Sequence, residues 1–293
     1  MKYALFLGCT IPVRSQNYEI SARNVAKKLG MNLVDIDEFS CCGFPVKSTS
    51  TETALAIAAR NLAIASEKKL EICTLCNACT GVLTETNKHL SDNKELREKI
   101  NEELKKYDKE FKKGVKIRHY DRILYEDIGL EKIKQSLNRD LKDLRVSVHY
   151  GCHYLRPKDI YDGFDDPEDP KTLDELIQAT GANLIDYKDK LDCCGGAILA
   201  VQEETALKMA KNKLDNVTAN KVDALITQCP FCSIMYEDNR NKIEAAFNAN
   251  YGGMPVLYYT QLLGLGLGLD KKELGFRLNK IKANDLLEKM GVE

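Results

Sequence analysis

Net charge is nearly absent from this sequence. Lys and Arg number 43 against 44 Asp and Glu, which leaves −1 over 293 residues. No global field draws such a chain onto nucleic acid or an anionic membrane. Long apolar runs are missing too. The longest, "QLLGLGLGL", is far too short to cross a bilayer. The opening "MKYALFLGCT" lacks the length and cleavage region of a signal peptide, which makes the cytoplasm the expected compartment. A disulfide framework is excluded on two counts: that compartment is reducing, and the 11 cysteines are odd in number. What remains is a folded globular chain, 44% hydrophobic and 30% charged, long enough for one large domain or two ordinary ones.

The cysteines carry the pattern. Cys9, Cys41, Cys42, Cys76 and Cys79 form one series, and Cys152, Cys193, Cys194, Cys229 and Cys232 form another. Each reads C, a long gap, CCG, a gap, then C-x-x-C. The second gap differs by a single position, 34 steps against 35. Flanking segments agree: "YALFLGCTIPVR" faces "VSVHYGCHYLR", "TETALAIAARNL" faces "EETALKMAKNKL", and "TLCNACT" faces "TQCPFCS". The chain is an internal duplication. Cys73 is left over. Its counterpart is Ile226, an apolar strand position, so Cys73 reads as a small core residue.

Each half alternates strand and helix. Residues 3–8 and 146–150, "NLVDI" and "NLIDY", and "LEICTLC" and "DALITQC" read as strands. Residues 17–29, 51–68, 172–180 and 203–217 read as helices, with Gly30 and Gly181 as stop signals. This predicts an α/β fold of two pseudo-twofold-related repeats, each a small parallel sheet flanked by helices. The ten cysteines then fall at the carboxyl ends of strands, where open parallel sheets hold their ligands. Expected boundaries are residues 1–84 for the first repeat and 145–265 for the second. A charged helical connection over 85–144 lies between them, and a helical tail covers 266–293. In the connection, Leu96, Ile100, Leu104 and Phe111 keep helical spacing and predict an amphipathic helix packed on the body. "KIRHYDRILYEDIG" weakly echoes "VLYYTQLLGLGLG", placing His119 opposite Tyr259, both expected on helix faces near the cysteine loops.

Three occupants compete for the cysteines. Structural zinc takes four ligands in a closed tetrahedron, so five per half overshoot it. A cubane [4Fe–4S] cluster also takes four thiolates. An iron–sulfur cluster of unusual ligation suits the doublet better, because adjacent sulfurs reach neighbouring irons or one sulfur bridges two. Glycine after each doublet permits positive φ and close approach of the backbone to a cluster.

The duplicated C–CCG–CxxC series, spanning roughly residues 1–265, resembles the cysteine-rich CCG domain family. That family includes the B subunit of the CoB–CoM heterodisulfide reductase of methanogenic archaea. It also includes iron–sulfur subunits of glycolate, lactate and glycerol-3-phosphate oxidising enzymes and of thiol:fumarate reductases. Several relatives fuse a ferredoxin module with C-x-x-C-x-x-C-x-x-x-C-P runs, which this sequence lacks, so it looks most like the methanogen B subunit. The resemblance implies two noncubane [4Fe–4S] clusters, one held by each series of five cysteines. It implies reduction of the CoM-S-S-CoB disulfide to two thiols, each cluster taking one sulfur. Two further subunits are implied as partners, one ferredoxin-like and one a flavoprotein, with a hydrogenase or formate dehydrogenase upstream. The runner-up is an electron-transfer subunit of a hydroxy-acid dehydrogenase or fumarate reductase complex. A zinc-stabilised scaffold is the third reading. His153, directly after a ligand, is a candidate proton donor. Arg14 and Arg156 follow Cys9 and Cys152 by five and four residues and are candidates for anionic substrate groups.

Overall fold

The computed structural model describes residues 1–292, and two four-stranded parallel sheets organise them. In the first half, β1 (Lys2–Phe6) is followed by the single turn α1 (Ile11–Arg14) and by α2 (Gln16–Leu29). Then come β2 (Asn32–Asp35), α3 (Thr51–Glu67), β3 (Glu71–Thr74), α4 (Asn77–Asp92) and α5 (Lys94–Leu104). The half closes with β4 (Ile117–His119), α6 (Tyr120–Ile123) and α7 (Leu130–Ser136). The second half repeats this with β5 (Arg145–His149), α8 (Thr172–Ala179), β6 (Asn183–Leu184), α9 (Glu203–Thr218) and β7 (Ala224–Thr227). After the turn α10 (Pro230–Ser233) come α11 (Arg240–Phe247), β8 (Val256–Tyr258), α12 (Tyr259–Gly266) and α13 (Asn284–Lys289).

Sheet orders are β2-β1-β3-β4 and β6-β5-β7-β8. Strand order therefore reverses between β1 and β3 and between β5 and β7, and the crevice at such a switch point receives ligands. Local sequence explains the helices. Ser50 caps α3 through a 3.2 Å bond from the Thr53 amide, and its alanines give a flat face that packs close. Gly30 ends α2 at φ 76°, a left-handed position that glycine adopts without strain.

The first sheet reaches into the segment expected to be a helical connection. β4 pairs in register with β3, Ile72 opposite Ile117 and Thr74 opposite His119. Only three residues long and carrying an arginine, β4 has no alternation to betray it. Arg118 is 2% exposed and is neutralised by Glu71, Glu126 and Asp127. The expected amphipathic helix is α5, which ends at Leu104; Ile100 and Leu104 are buried and Leu96 packs against the core, whereas Phe111, expected on the same helix, is buried from the loop beyond it. In the tail, α13, six residues long, follows a tight turn at Phe276–Leu278.

The match of His119 to Tyr259 is off by one. Thr227 stands opposite Tyr258, so register pairs His119 with Tyr258, and both end strands instead of lying on helix faces.

The halves meet reciprocally, as a pseudo-twofold requires. First-half α2 packs on second-half α12, while first-half α6 packs on second-half α8. Ser21 Oγ lies 2.6 Å from Thr260 Oγ1, and the Tyr18 and Tyr258 rings stack at 4.0 Å. Such aromatic stacking adds about 1 kcal/mol to simple burial.

Candidate metal centres

All ten paired cysteines lie in loops or helix starts at the carboxyl ends of β1, β2, β3 and their counterparts. Their thiols form one unbroken line. Cys9 meets Cys41 at 3.9 Å, and contacts then run through Cys42, Cys79 and Cys76. From Cys76 the line crosses to Cys229 in the other half and continues through Cys232, Cys194 and Cys193 to Cys152. Its order reads the same from either end under the pseudo-twofold. Cys73 is not in it; it is buried in β3 between Leu5 and Arg118.

Burial grades along each half of the line. Cys9 is exposed, and Cys41, Cys152 and Cys193 are half-buried. Cys42, Cys76, Cys79, Cys194, Cys229 and Cys232 are buried. Each doublet thus puts one sulfur near the mouth and the next in the interior. Two cavities result, one lined by Cys9, Cys42, Cys76 and Cys79, the other by all five second-half cysteines. Phe44, Ala78 and Phe231 belong to both and form a shared apolar wall.

The donor set fits a multi-iron group. Hydrogen bonding from its neighbour favours the thiolate of Cys42 and of Cys193, while Cys41 and Cys152 are pushed up by the same contacts. Adjacent sulfurs and burial likewise raise Cys79 and Cys232. Five crowded sulfurs cannot all ionise unless cations lie among them.

Glycines permit the crowding. Gly43 and Gly195 have φ of 93° and 82°, as the sequence suggested, and their amides donate to Cys41 Sγ and Cys193 Sγ, each at 3.4 Å. Their close neighbour is helix backbone: an added Cβ would lie 2.7 Å from Ala54 O and 2.8 Å from Ala206 O. An added Cβ would also meet sulfur at Gly8 and Gly151, 2.9 Å from Cys79 Sγ and 3.4 Å from Cys232 Sγ. Sequence reasoning missed them, although each directly precedes the first cysteine of its series.

Other residues escaped notice. Asn61 is fully buried; it accepts from the Ser40 amide at 3.0 Å and donates to Cys41 O at 2.9 Å, fastening the first doublet. Lys213 occupies its repeat position and donates to Asp189 O, ahead of the second doublet. Asn77 donates to Tyr150 O at 2.8 Å, joining the halves beside the central sulfurs, and second-half Gln228 donates to the same oxygen at 3.0 Å. His149 ends β5, with a ring nitrogen within 4.8 Å of the Cys194 and Cys232 sulfurs.

Of the polar candidates, His153 is at the site: its Nδ1 lies 3.3 Å from Cys152 Sγ and its ring meets Phe44 edge-on at 5.4 Å. Arg14 pairs with Asp238 across the halves at 2.6 Å, and Arg156 pairs with Glu168 at 3.2 Å and Pro167 O at 2.8 Å. Neither arginine lines the thiol cavities.

Two matched thiol sites on tandem α/β repeats define a class. The model of the cysteine-rich domain family matches residues 3–84 and 146–237, and the chain belongs to that family. Within it the chain groups with the B subunits of heterodisulfide reductases, a family of iron–sulfur oxidoreductase subunits. It is 36% identical over 294 residues to the B subunit of ferredoxin:CoB-CoM heterodisulfide reductase of Methanosarcina mazei, covering 99% of this chain and 97% of that one. It is 36% identical over 281 residues to a heterodisulfide reductase B-subunit-like protein of Archaeoglobus profundus, covering 94% and 93%. It is also 30% identical over 290 residues to the 8-methylmenaquinol:fumarate reductase membrane anchor subunit of Wolinella succinogenes, covering 97% and 99%. A hypothetical protein from Helicobacter pylori shares the fold at TM-score 0.78 and 18% identity, over 96% of this chain and 52% of that one. No helix among the described residues is long and apolar enough to cross a membrane.

Proposed function

We propose that this chain is the disulfide-reducing subunit of a CoB–CoM heterodisulfide reductase with a noncubane [4Fe–4S] cluster in each half. Cys9, Cys41, Cys42, Cys76 and Cys79 would hold the first, and Cys152, Cys193, Cys194, Cys229 and Cys232 the second. The observation that carries this reading is the single line of ten thiols, five per half, joined at Cys76 and Cys229. Bound clusters supply single electrons and irons open to substrate sulfur. The overall reaction adds two electrons and two protons to one S–S bond and releases two thiols.

The chain's own groups serve that reaction in four ways. Cys9, Cys41, Cys152 and Cys193 keep the mouths open. Phe44, Ala78 and Phe231 exclude water between the sites. His153 stands beside Cys152, at the right place to deliver a proton to a departing sulfur. Arg14 and Arg156 are half-exposed, and a substrate sulfonate or phosphate would take the place of Asp238 and Glu168 as their partner. The expected electron donors are two partner subunits, one ferredoxin-like and one a flavoprotein, in the cytoplasm, whose reducing conditions suit thiolate ligands.

A second reading is an electron-relay subunit of a fumarate reductase complex. The 30% identity to the Wolinella protein favours it. Anaerobically purified protein should carry about eight irons and no zinc and reduce CoM-S-S-CoB with a reduced viologen dye. Full iron content without disulfide turnover would favour the relay. Zinc in either half would overturn the two-cluster reading.

A further inference from the structure

The two sites share ligands but not surroundings. β1 ends in Phe6, which packs on Phe39 at 5.1 Å. The matching end of β5 is His149, buried, with a ring nitrogen within 4.8 Å of Cys194 Sγ and Cys232 Sγ. Its Nδ1 lies 3.5 Å from the Tyr236 hydroxyl, and in the tautomer where Nδ1 accepts that O–H the ring proton is on Nε2. That Nε2 is buried and has no hydrogen-bond partner in the protein. An orphaned N–H costs about 1–3 kcal/mol, and buried polar groups of this kind are ordinarily paired. The second difference is Lys213 at the position of Asn61: its buried ammonium shares a hollow with Cys193, but Asp189 and Asp192 line the same hollow and offset its charge.

We propose that His149 donates its Nε2–H to the sulfur of the second half's cluster and makes that cluster the more easily reduced of the two. The inference rests on the iron–sulfur reading above. A hydrogen bond to cluster sulfur stabilises the form carrying the extra electron, and so raises the potential. Phe6 supplies none to the first half. An electron entering the chain therefore comes to rest in the second half.

An EPR-monitored redox titration of the anaerobic protein tests this, with iron and zinc counted in the same samples. Wild type should show two midpoints. His149→Phe, which copies the first half, should lower only the higher one, changing the oxidised-to-reduced ratio about tenfold, roughly 59 mV for one electron. His149→Gln, which keeps an N–H, should recover part of the shift. Unmoved midpoints in a His149→Phe protein with full iron overturn the inference and leave the function intact. Zinc, or half the expected iron, in wild type overturns the function reading and the inference with it. If His149→Phe loses iron, pulsed EPR of 15N-histidine-labelled His153→Gln protein decides: a nitrogen coupling to one cluster is expected, and none overturns the proposal.

Discussion

Set the halves side by side: they repeat the cysteines, the CCG glycines and the helix that packs on them, yet diverge next to the sulfurs. Phe6, Thr10, Ser40 and Asn61 of the first half face His149, His153, Asp192 and Lys213 of the second. Four neutral groups are exchanged for two imidazoles, a carboxylate and an ammonium. Duplication preserved what holds the sites and altered what surrounds them. Two equivalent sites would only double a capacity, whereas two unequal ones give electrons a direction.

The largest break in the comparison is a lost ligand. Cys41→Ala and Cys193→Ala should each abolish disulfide reduction and remove about four irons, while Cys73→Ala should keep both and cost about 1 kcal/mol for a small cavity. Iron content beside turnover reads this. If Cys41→Ala kept activity, the first half would be a relay and the halves would differ in kind.

A smaller effect tests what stayed the same. Gly43→Ala and Gly195→Ala force a side chain onto φ of 93° and 82° and into Ala54 O and Ala206 O. Each should cost about 2–3 kcal/mol from strain and overlap, read as similar drops in the unfolding midpoint. A drop confined to one variant would mean that the second-half loop, fastened by Lys213 instead of Asn61, yields where the first does not.

Much of this was legible in the sequence because duplication gives two readings of each element. Helices at 16–29, 51–67 and 203–218 and the central strands were foreseen within a residue or two. β4 and β8 were not. They are three residues long, and Arg118 hides one of them behind a polar signature that three carboxylates neutralise. The cysteines declared themselves by number and order. His149 did not, because a histidine before "YGC" says nothing until its ring is seen beside sulfur from a loop 45 residues away. Glycine at the doublet was right in conformation and in bringing its amide to sulfur, while the helix backbone at Ala54 and Ala206 was not foreseen, since sequence spacing does not reveal which backbone passes close.

The subtlest contrast follows the C-x-x-C turns, where Glu237 occupies the repeat position of Thr84. Glu237 is 6% exposed; Oε1 accepts from the Lys280 and Ile281 amides at 2.5 and 3.1 Å, and Ser233 Oγ lies 3.3 Å from Oε2. Those donors favour the carboxylate, but burial outweighs them and pushes the group up to about 7 from its ordinary 4.5. Folding therefore takes up a proton across that window, and stability falls as pH rises from 4.5 to about 7. Across the window the loss is at most about 3 kcal/mol. Glu237→Gln keeps the acceptor for both amides without a charge to bury. Urea unfolding of the anaerobic protein should find the two equally stable near pH 4.5, with the variant ahead above pH 7. Every other titrating group is common to both, so the difference isolates this one. Curves that stay parallel from pH 4.5 to 8 would mean that the two amides, not burial, set the charge of Glu237, and that this half of the molecule carries one more anion than its twin.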